Sequence, residues 1–204
     1  VKLMNDANCF TLSEAVDGAG KDYQSIFGII VGTGFGGALS YKKEIIEGAN
    51  QIAGDWGHQP LPYPTKEEIE TKINCPSMNC GRPLCAEQFM SGIGFKDVFN
   101  QKHKTSFTSE EIVKLDLDGD PRANSELSLY EDRMARLLAV MIGIFDPDAI
   151  ILGGGMSNID RFYVNIPTLI PKYTFSNKVK TKVLKNFHGD SSGVRGAAWL
   201  WNNV

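Results

Sequence analysis

The 204-residue sequence lacks a strong net charge, a long apolar run and a dense set of cysteines. Its formal net charge is −3, so no basic stripe is available to neutralise nucleic-acid phosphates, and we expect no nucleic-acid partner. No apolar stretch reaches the length of a membrane-spanning helix, and the first residues show no secretory pattern, so we expect no membrane partner. These absences predict a cytoplasmic globular protein, and a 42% apolar content is enough to build a core.

The four cysteines are too few and too irregularly spaced for a disulfide framework in a chain of this size. Three of them, Cys75, Cys80 and Cys85, are crowded together around Gly and Pro, a density typical of metal ligands. Zinc prefers thiolate and imidazole, so His58 would complete a closed structural site. The alternative is three ordinary reduced cysteines.

A glycine-rich stretch follows the clearest predicted strand. Residues 26–31 are apolar and β-branched, which predicts a buried strand that runs into Gly32-Thr33-Gly34-Phe35-Gly36-Gly37. Glycines there would allow positive φ and leave N–H groups bare, as a phosphate-binding loop requires, and Thr33 could add a hydroxyl donor. A tight turn is one alternative. A Rossmann site is another, because Gly32, Gly34 and Gly37 fit Gly-x-Gly-x-x-Gly with Asp55 near the distance of a ribose-binding acid.

The rest of the chain alternates helices with strands, which makes the fold class α/β. Helices are predicted at 10–19, from 121 to 145 with one apolar stripe, and at 193–201, and strands at 149–152 and 180–187. Gly153-Gly154-Gly155 after a strand is a position where α/β proteins bind ligands. Residues 1–4 also read as a strand. Because the chain starts within that strand, we expect it to belong to a longer protein.

Five motifs occur in the order found in the ROK (repressor, open reading frame, kinase) family. They are Asn5-Asp6-Ala7-Asn8-Cys9, Gly32-Thr33-Gly34-Phe35-Gly36-Gly37, Gly54-Asp55-Trp56-Gly57-His58, Cys80-Gly81 with Cys85-Ala86-Glu87, and Ile151-Leu152-Gly153-Gly154-Gly155. The resemblance covers nearly the whole chain and is greatest to the bacterial fructokinase and mannokinase branch, to which residues 57–62 are similar. It favours a phosphate loop over a Rossmann site.

The resemblance implies the two-lobed actin-like ATPase (ribonuclease-H-like) fold. Residues 1–204 would be its C-terminal lobe, with an inserted zinc-binding loop at about 55–87, and the N-terminal lobe would be absent from this chain. The implied activity is ATP-dependent phosphorylation of a hexose, fructose or mannose first, with ATP, Mg²⁺ and a structural Zn²⁺, in a homodimer. Residues 1–204 alone are expected to be inactive.

By the same likeness each motif has a role. Asp6 would be the general base that takes the proton of the attacking sugar hydroxyl, a task for which a positioned carboxylate is suited. The residues holding the sugar hydroxyls would be Asn5, Asp55, His58 and Glu87. The residues binding ATP would be Gly32, Thr33, Gly34, Gly36 and Gly37 at the phosphates and Gly153, Gly154 and Gly155 at the adenosine. The zinc ligands would be His58, Cys75, Cys80 and Cys85.

Three departures from the family pattern limit this transfer. Asp55 stands where the family usually has Glu, and Met78 stands where the first Cys of Cys-x-Cys-Gly is usual, so that Cys75 becomes the substitute ligand. The family's Asp-x-Gly-Gly-Thr phosphate loop occurs nowhere in these residues. Two other functions stay open: a sugar-sensing transcriptional repressor of the same family, and a non-catalytic zinc-stabilised domain. Asp6 and the glycine stretch favour the kinase, because a sensor needs neither.

Overall fold

The structure is a computed structural model that describes residues 1–71, 73–77, 80–176 and 178–201. Met78, whose departure from the family pattern was noted above, lies outside the described residues. Within these residues the fold consists of one five-stranded sheet with helices on both faces, which confirms the predicted α/β class. Within the described residues, none of the helices combines the length and the hydropathy needed to cross a bilayer.

The sheet has the strand order β3-β2-β1-β4-β5. Its strands are β1 (Ser25–Val31), β2 (Phe35–Tyr41), β3 (Glu44–Ile46), β4 (Ala149–Gly153) and β5 (Lys182–Lys185). The first three form antiparallel hairpins, whereas β4 runs parallel to β1 and β5 parallel to β4. Because a strand and not a helix follows the glycine stretch, the Rossmann alternative is wrong.

Eight α-helices flank the sheet in the described part of the chain. They are α1 (Asp6–Val16), α2 (Lys66–Glu70), α3 (Ala86–Met90), α4 (Gly92–His103), α5 (Ser109–Leu117), α6 (Pro121–Phe145), α7 (Arg161–Leu169) and α8 (Ser192–Trp199). Short 3₁₀ segments lie at Gly155–Asn158, Ile170–Lys172 and Gly189–Ser191. Pro121 begins α6 and Phe145 ends it, which are the predicted bounds of this helix, and Asp120 caps its start.

The two faces of the sheet bury different cores. Phe27, Ile29 and Val31 on one face of β1 join the large core, to which α3, α4, α5, α6 and α7 also contribute. Ile26 on the opposite face of β1 packs with Ile151 and with Phe10 of α1 in a smaller core. The alternation follows from the two-residue period of a strand. It leaves α1 and α8 together on one face and the long helix α6 on the other.

The N-terminal residues differ from the prediction. Residues 1–4 form no strand in the structure, and α1 begins at Asp6 instead of residue 10. The reason is local: Asn5 adopts a non-helical conformation and its Oδ1 accepts hydrogen bonds from the N–H groups of Ala7 and Asn8, so it is an N-cap. The last strand, β5, is also shorter than the predicted 180–187.

Candidate functional site

Helix α1 carries Asp6 to the edge of the sheet where β1 and β4 end. Its middle lies against the centre of β1, where Thr11 contacts Gly28, and Phe10 contacts Gly153 at the end of β4. At the other end of the helix, Lys43 Nζ donates to the carbonyl of Val16, 3.4 Å away, beside the turn between β2 and β3. The helix is therefore antiparallel to β1. Its exposed first residue, Asp6, lies at the edge where both glycine turns begin.

The glycine stretch forms a hairpin turn and not a wrapped loop. Val31 pairs with Phe35 across the turn at Gly32, Thr33 and Gly34, and the remaining glycines of the stretch lie inside β2. None of these glycines adopts positive φ, so that expectation was wrong. The lack of a side chain allows close packing instead at Gly37, where a Cβ would lie 2.7 Å from the ring of Phe27.

The second glycine turn lies against the first. Gly154 has φ 82°, a conformation that favours glycine, and a Cβ at this position would lie 2.6 Å from the carbonyl oxygen of Val31. The hairpin also contacts the start of α4, where the N–H of Gly92 donates to the carbonyl of Gly32 at 2.7 Å. The two predicted glycine turns and the N-terminus of α4 thus converge at one point.

An open cleft of about 790 Å³ lies at this convergence. Its lining residues come from the hairpin (Gly32, Thr33), α4 (Gly92, Ile93, Lys96), the start of α5 (Thr108, Ser109, Glu110, Val113) and the second turn (Gly155, Met156, Asn158, Ile159). Helix N-termini from α4 and α5 border the cleft, and the dipole of a helix favours anions at such an end. Ser91 and Thr108 cap these two helices by accepting hydrogen bonds from the N–H groups of Gly94 and Glu111. The mixture of apolar walls and polar donors suits an organic anion of nucleotide size.

A second cluster, which we call the thiol cluster, brings together His58, Cys75, Cys80 and Cys85. One donor atom from each of these residues lies within 4.8 Å of all the others. The backbone explains the convergence: the N–H of Leu61 donates to the carbonyl of Leu84 at 2.7 Å, and the N–H of Ala86 donates to the carbonyl of Gln59 at 2.8 Å. The loop before α2 is thereby held against the residues that open α3.

The geometry of the thiol cluster fits zinc. In a tetrahedral site with the usual bond lengths, two sulfurs lie about 3.8 Å apart and a sulfur and a nitrogen about 3.6 Å apart. The Sγ atoms of Cys80 and Cys85 are 3.6 Å apart, and Cys85 Sγ is 3.5 Å from Nδ1 of His58. Burial raises the pKa of Cys75 and of Cys85, whereas a hydrogen bond from the N–H of Arg82 lowers the pKa of Cys80. A metal ion would therefore have to displace protons from at least two thiols.

Glu87 connects the thiol cluster to the glycine hairpin. Its Oε2 accepts a 2.8 Å hydrogen bond from Ser77 and lies 3.3 Å from His58 Nδ1, while the Cys75 thiol donates to it at 3.5 Å. Its Oε1 lies on the other side, 3.1 Å from where a Cβ would stand at Gly34. One buried carboxylate thus touches both predicted sites.

The family model described as "ROK family" matches residues 1–204. The chain belongs to the ROK family. It is 38% identical over 200 residues to the N-acetyl-D-glucosamine kinase of Vibrio atlanticus (strain LGP32), covering 98% of this chain and 66% of that protein. The protein of the same name from Vibrio vulnificus (strain YJ016) is 39% identical over 204 residues, with the same coverage. This ROK chain therefore spans about two thirds of the length of the curated relatives it matches.

Solved ROK structures share the fold of this chain. A ROK family glucokinase from Streptomyces griseus in complex with glucose and AMPPNP superposes with a TM-score of 0.82 at 23% identity, covering 97% of this chain and 67% of that one. A ROK family transcriptional regulator, a homolog of the E. coli MLC protein, superposes with a TM-score of 0.79 at 20% identity, covering 96% and 50%. The predicted α/β fold of the actin-like ATPase type is confirmed. Because kinases and a regulator share it, the fold does not separate their functions.

The structure brings some of the predicted site residues of this ROK chain together, in the cleft and in the thiol cluster. Gly32, Thr33 and Gly155 line the cleft, and the four predicted metal ligands form one cluster. Gly36 and Gly153 are strand residues away from the cleft lining. Asp55 is exposed, and its carboxylate accepts no hydrogen bond from the described residues. The roles of these residues in binding and catalysis stay predictions.

Sequence reasoning missed two contributors to the sites. Ser77 donates to Glu87, and Lys96 lines the cleft beside the start of α4. Ser77 lies between two predicted ligands, so its position was a usable signal. The residues around Lys96 do not indicate that it lines the cleft, because its position depends on how α4 packs against the hairpin.

Proposed function

We propose that residues 1–204 form the C-terminal lobe of a ROK kinase that transfers the γ-phosphate of ATP to a sugar. The proposal is carried by one observation: Asp6, the two glycine turns and the inner face of Glu87 all lie at the same edge of the sheet. Phosphoryl transfer depends mainly on bringing the attacking hydroxyl, an acceptor for its proton and the polyphosphate into line. This edge supplies groups suited to each task.

In the proposed reaction, the Asp6 carboxylate takes the proton of a sugar hydroxyl while the oxygen of that hydroxyl bonds to the γ-phosphorus of ATP. The bond from that phosphorus to the bridging oxygen breaks, and ADP leaves. Asp6 is suited to the task because it is exposed at the start of α1 and accepts only the short local bond from the N–H of Ala7, 2.8 Å away, among the described residues. One carboxylate oxygen stays available to a substrate.

The sugar would be bound between α1 and the loop that carries His58. Asn5, Asp55, His58 and Glu87 would hold its hydroxyls. If Nδ1 of His58 binds zinc, Nε2 remains for a hydroxyl. Zinc would be held by the thiol cluster, where it would neutralise the thiolates and fix His58 relative to Glu87. Asp55 in place of the usual Glu is shorter by one methylene, which we expect to weaken or redirect one hydroxyl contact.

ATP would lie in the cleft, with its phosphates at Gly32, Thr33 and Gly34 and its adenosine along Gly154 and Gly155. Gly36, Gly37 and Gly153 would contribute by allowing close packing of the strands that carry the turns. Mg²⁺ would accompany the nucleotide and neutralise charge on its phosphates, and we assign no residue of this chain to it. Because phosphoryl transfer needs groups on both sides of the nucleotide, residues 1–204 alone should be inactive.

The sugar identity is proposed from the relatives and from the motifs together. N-acetyl-D-glucosamine is the first candidate, because proteins 38% and 39% identical to this chain carry that kinase name. Fructose and mannose, expected from the similarity of residues 57–62 to the fructokinase and mannokinase branch, are the next candidates. A coupled assay of the full-length protein with these three sugars and glucose ranks them by kcat/KM.

The general base is tested with Asp6→Asn in the full-length protein. This change keeps the shape and removes the proton acceptor, so turnover should fall by about 10²- to 10⁴-fold while sugar binding persists. Asp22→Asn is the matched control, because Asp22 is exposed beyond the other end of α1. Near-normal turnover by Asp6→Asn would remove Asp6 from the proposal. Sugar binding by the natural protein without any turnover would favour the sensor alternative.

A further inference from the structure

One cation lines the nucleotide cleft among the residues described there. Lys96 is the only Lys or Arg in this lining, and Glu110, on α5, is the only acid. The side chain of Lys96 is half-buried, and its ammonium has no ion-pair or hydrogen-bond partner within the described parts of the chain. A half-buried cation without a partner in a cleft with two helix N-termini is poised for an anion brought by a ligand.

The position of Lys96 along the cleft follows from α4. Gly92, at the start of this helix, donates to Gly32 of the hairpin, and Lys96 lies four residues later on the same face of the helix. Four residues correspond to about 6 Å along the axis. Lys96 therefore lies about one helical turn beyond the hairpin contact.

The apolar lining of the cleft offers walls for the base of a nucleotide. Ile93 on α4 and Val113 on α5 form one part of the wall, and Met156 and Ile159 after the second glycine turn form another. Apolar side chains on two sides favour the flat faces of a purine base. A nucleotide whose γ-phosphate is near the hairpin and whose base is between these walls would pass its α- and β-phosphates along Lys96.

We infer that Lys96 is a nucleotide-positioning residue whose ammonium binds the α- and β-phosphates of the adenine nucleotide. The inference rests on the proposed function, and it assigns to Lys96 a contact with phosphates that stay on ADP after transfer. The contact would be made to ATP and to ADP alike. Such uniform binding lowers the KM for ATP and leaves kcat nearly unchanged.

Lys96→Gln in the full-length protein tests this contact, with calorimetric titration of ADP and of adenosine as the direct measurement. A hydrogen bond to a charged group is worth enough that its loss should weaken ADP binding about 10- to 100-fold. Adenosine carries no phosphate, so its dissociation constant should not change. In the coupled assay the KM for ATP should rise by a similar factor, while kcat and the KM for the sugar stay within about twofold.

Two further variants make the result specific. Lys96→Arg keeps the charge and should recover most of the ADP affinity. Lys114→Gln is the matched control on α5, because Lys114 is exposed, pairs with Asp118 at 2.6 Å and does not line the cleft. It removes the same net charge and should leave ADP affinity unchanged.

The outcomes separate the inference from the proposed function. Unchanged ADP affinity in Lys96→Gln, in a natural protein that binds ADP, would overturn the role of Lys96 and leave the kinase proposal intact. Equal weakening of ADP and adenosine would also overturn it, because the side chain would then shape the base pocket. A natural protein that binds no adenine nucleotide would overturn the proposed function itself.

Discussion

Two polar clusters fix residues 55–87, one by joining parts of this segment to each other and one by joining it to α6, and they differ in whether the chain completes them. The first is the thiol cluster of His58, Cys75, Cys80 and Cys85, all of which lie within the segment. Beneath α2 lies an ion cluster formed by Glu68, Glu126, Asp132, Arg133 and Arg136. Each charged group of the ion cluster has a partner of opposite charge within this set.

The charges of the ion cluster are paired among its own side chains, although Nε of Arg136 lies 3.1 Å from Asp132 without forming a hydrogen bond. Arg133 bridges Glu68 and Glu126 at 2.8 and 2.9 Å, and Arg136 contacts Glu68 at 2.7 Å. Arg136 also donates to the carbonyls of Pro62 and Tyr63, which attaches the segment before α2 to α6. A buried charge that is paired and hydrogen-bonded in this way does not need a ligand.

The thiol cluster brings together metal-ligand atoms, but it contains no Lys or Arg that would balance the negative charge of its thiolates. Thiols are weak hydrogen-bond donors, and burial favours their neutral form at Cys75 and Cys85. The comparison teaches that the same segment is attached to α6 by the protein's own charges and, in our proposal, is joined to itself by a metal ion. Order near Glu87 would then depend on zinc, whereas order at α2 would not.

The largest expected effect comes from breaking the ion cluster. Arg136→Met removes the guanidinium that now pairs with Glu68 and donates to two backbone carbonyls. Removal of one partner of a buried ion pair costs about 3 to 5 kcal/mol of unfolding free energy. Urea unfolding measures the change. Arg122→Met is the control, because Arg122 is exposed where it pairs with Asp120 at 2.7 Å, and this variant should lose little unfolding free energy. Equal effects in the two variants would contradict the comparison.

A smaller effect is expected from acid. Burial raises the pKa of Glu68, but hydrogen bonds from Arg136, the Thr65 N–H and Arg133 outweigh it and lower the pKa to about 2 from an ordinary value of 4.5. The unfolded chain therefore binds more protons than the folded chain between these pH values. The stabilisation is complete above about pH 4.5 and is lost as the pH falls toward 2.

This acid-sensitive contribution amounts to about 3 kcal/mol. Urea unfolding at a series of pH values between 2 and 6 measures it, and Glu68→Gln should flatten the decline. An equally steep decline in Glu68→Gln would assign the acid sensitivity to other carboxylates.

The smallest global effect is expected from zinc removal. At free zinc about tenfold above its dissociation constant, chelation should cost only about 1.4 kcal/mol of unfolding free energy. The local effect should be clear: hydrogen exchange should accelerate around residues 75–85 and at Glu87, while α2 stays protected by the ion cluster. Cys75→Ser should weaken zinc binding, and Cys9→Ser, a buried cysteine outside the cluster, should not. Elemental analysis that finds no zinc in carefully prepared protein would contradict this proposal.

Local patterns allowed much of the fold to be predicted. The strand before the glycine stretch and the apolar stripe of α6 both occur where the sequence places them. These features follow from side-chain periodicity and from hydrogen bonds within a few residues, so the neighbouring sequence contains the information. The strand predicted at residues 1–4 failed for a related reason, because a strand needs a partner that the local pattern cannot specify.

The sequence by itself determined the α/β class, the family motifs and the residue types of both candidate sites. Only the tertiary structure decided that the glycine stretch is a hairpin without positive φ, that Glu87 reaches both the thiol cluster and Gly34, and that Lys96 lines the cleft. The physical reason is that periodicity reports which face of an element is buried. Contacts between distant segments depend instead on how those buried faces pack, and here the cleft lies where the starts of α4 and α5 meet the two glycine turns.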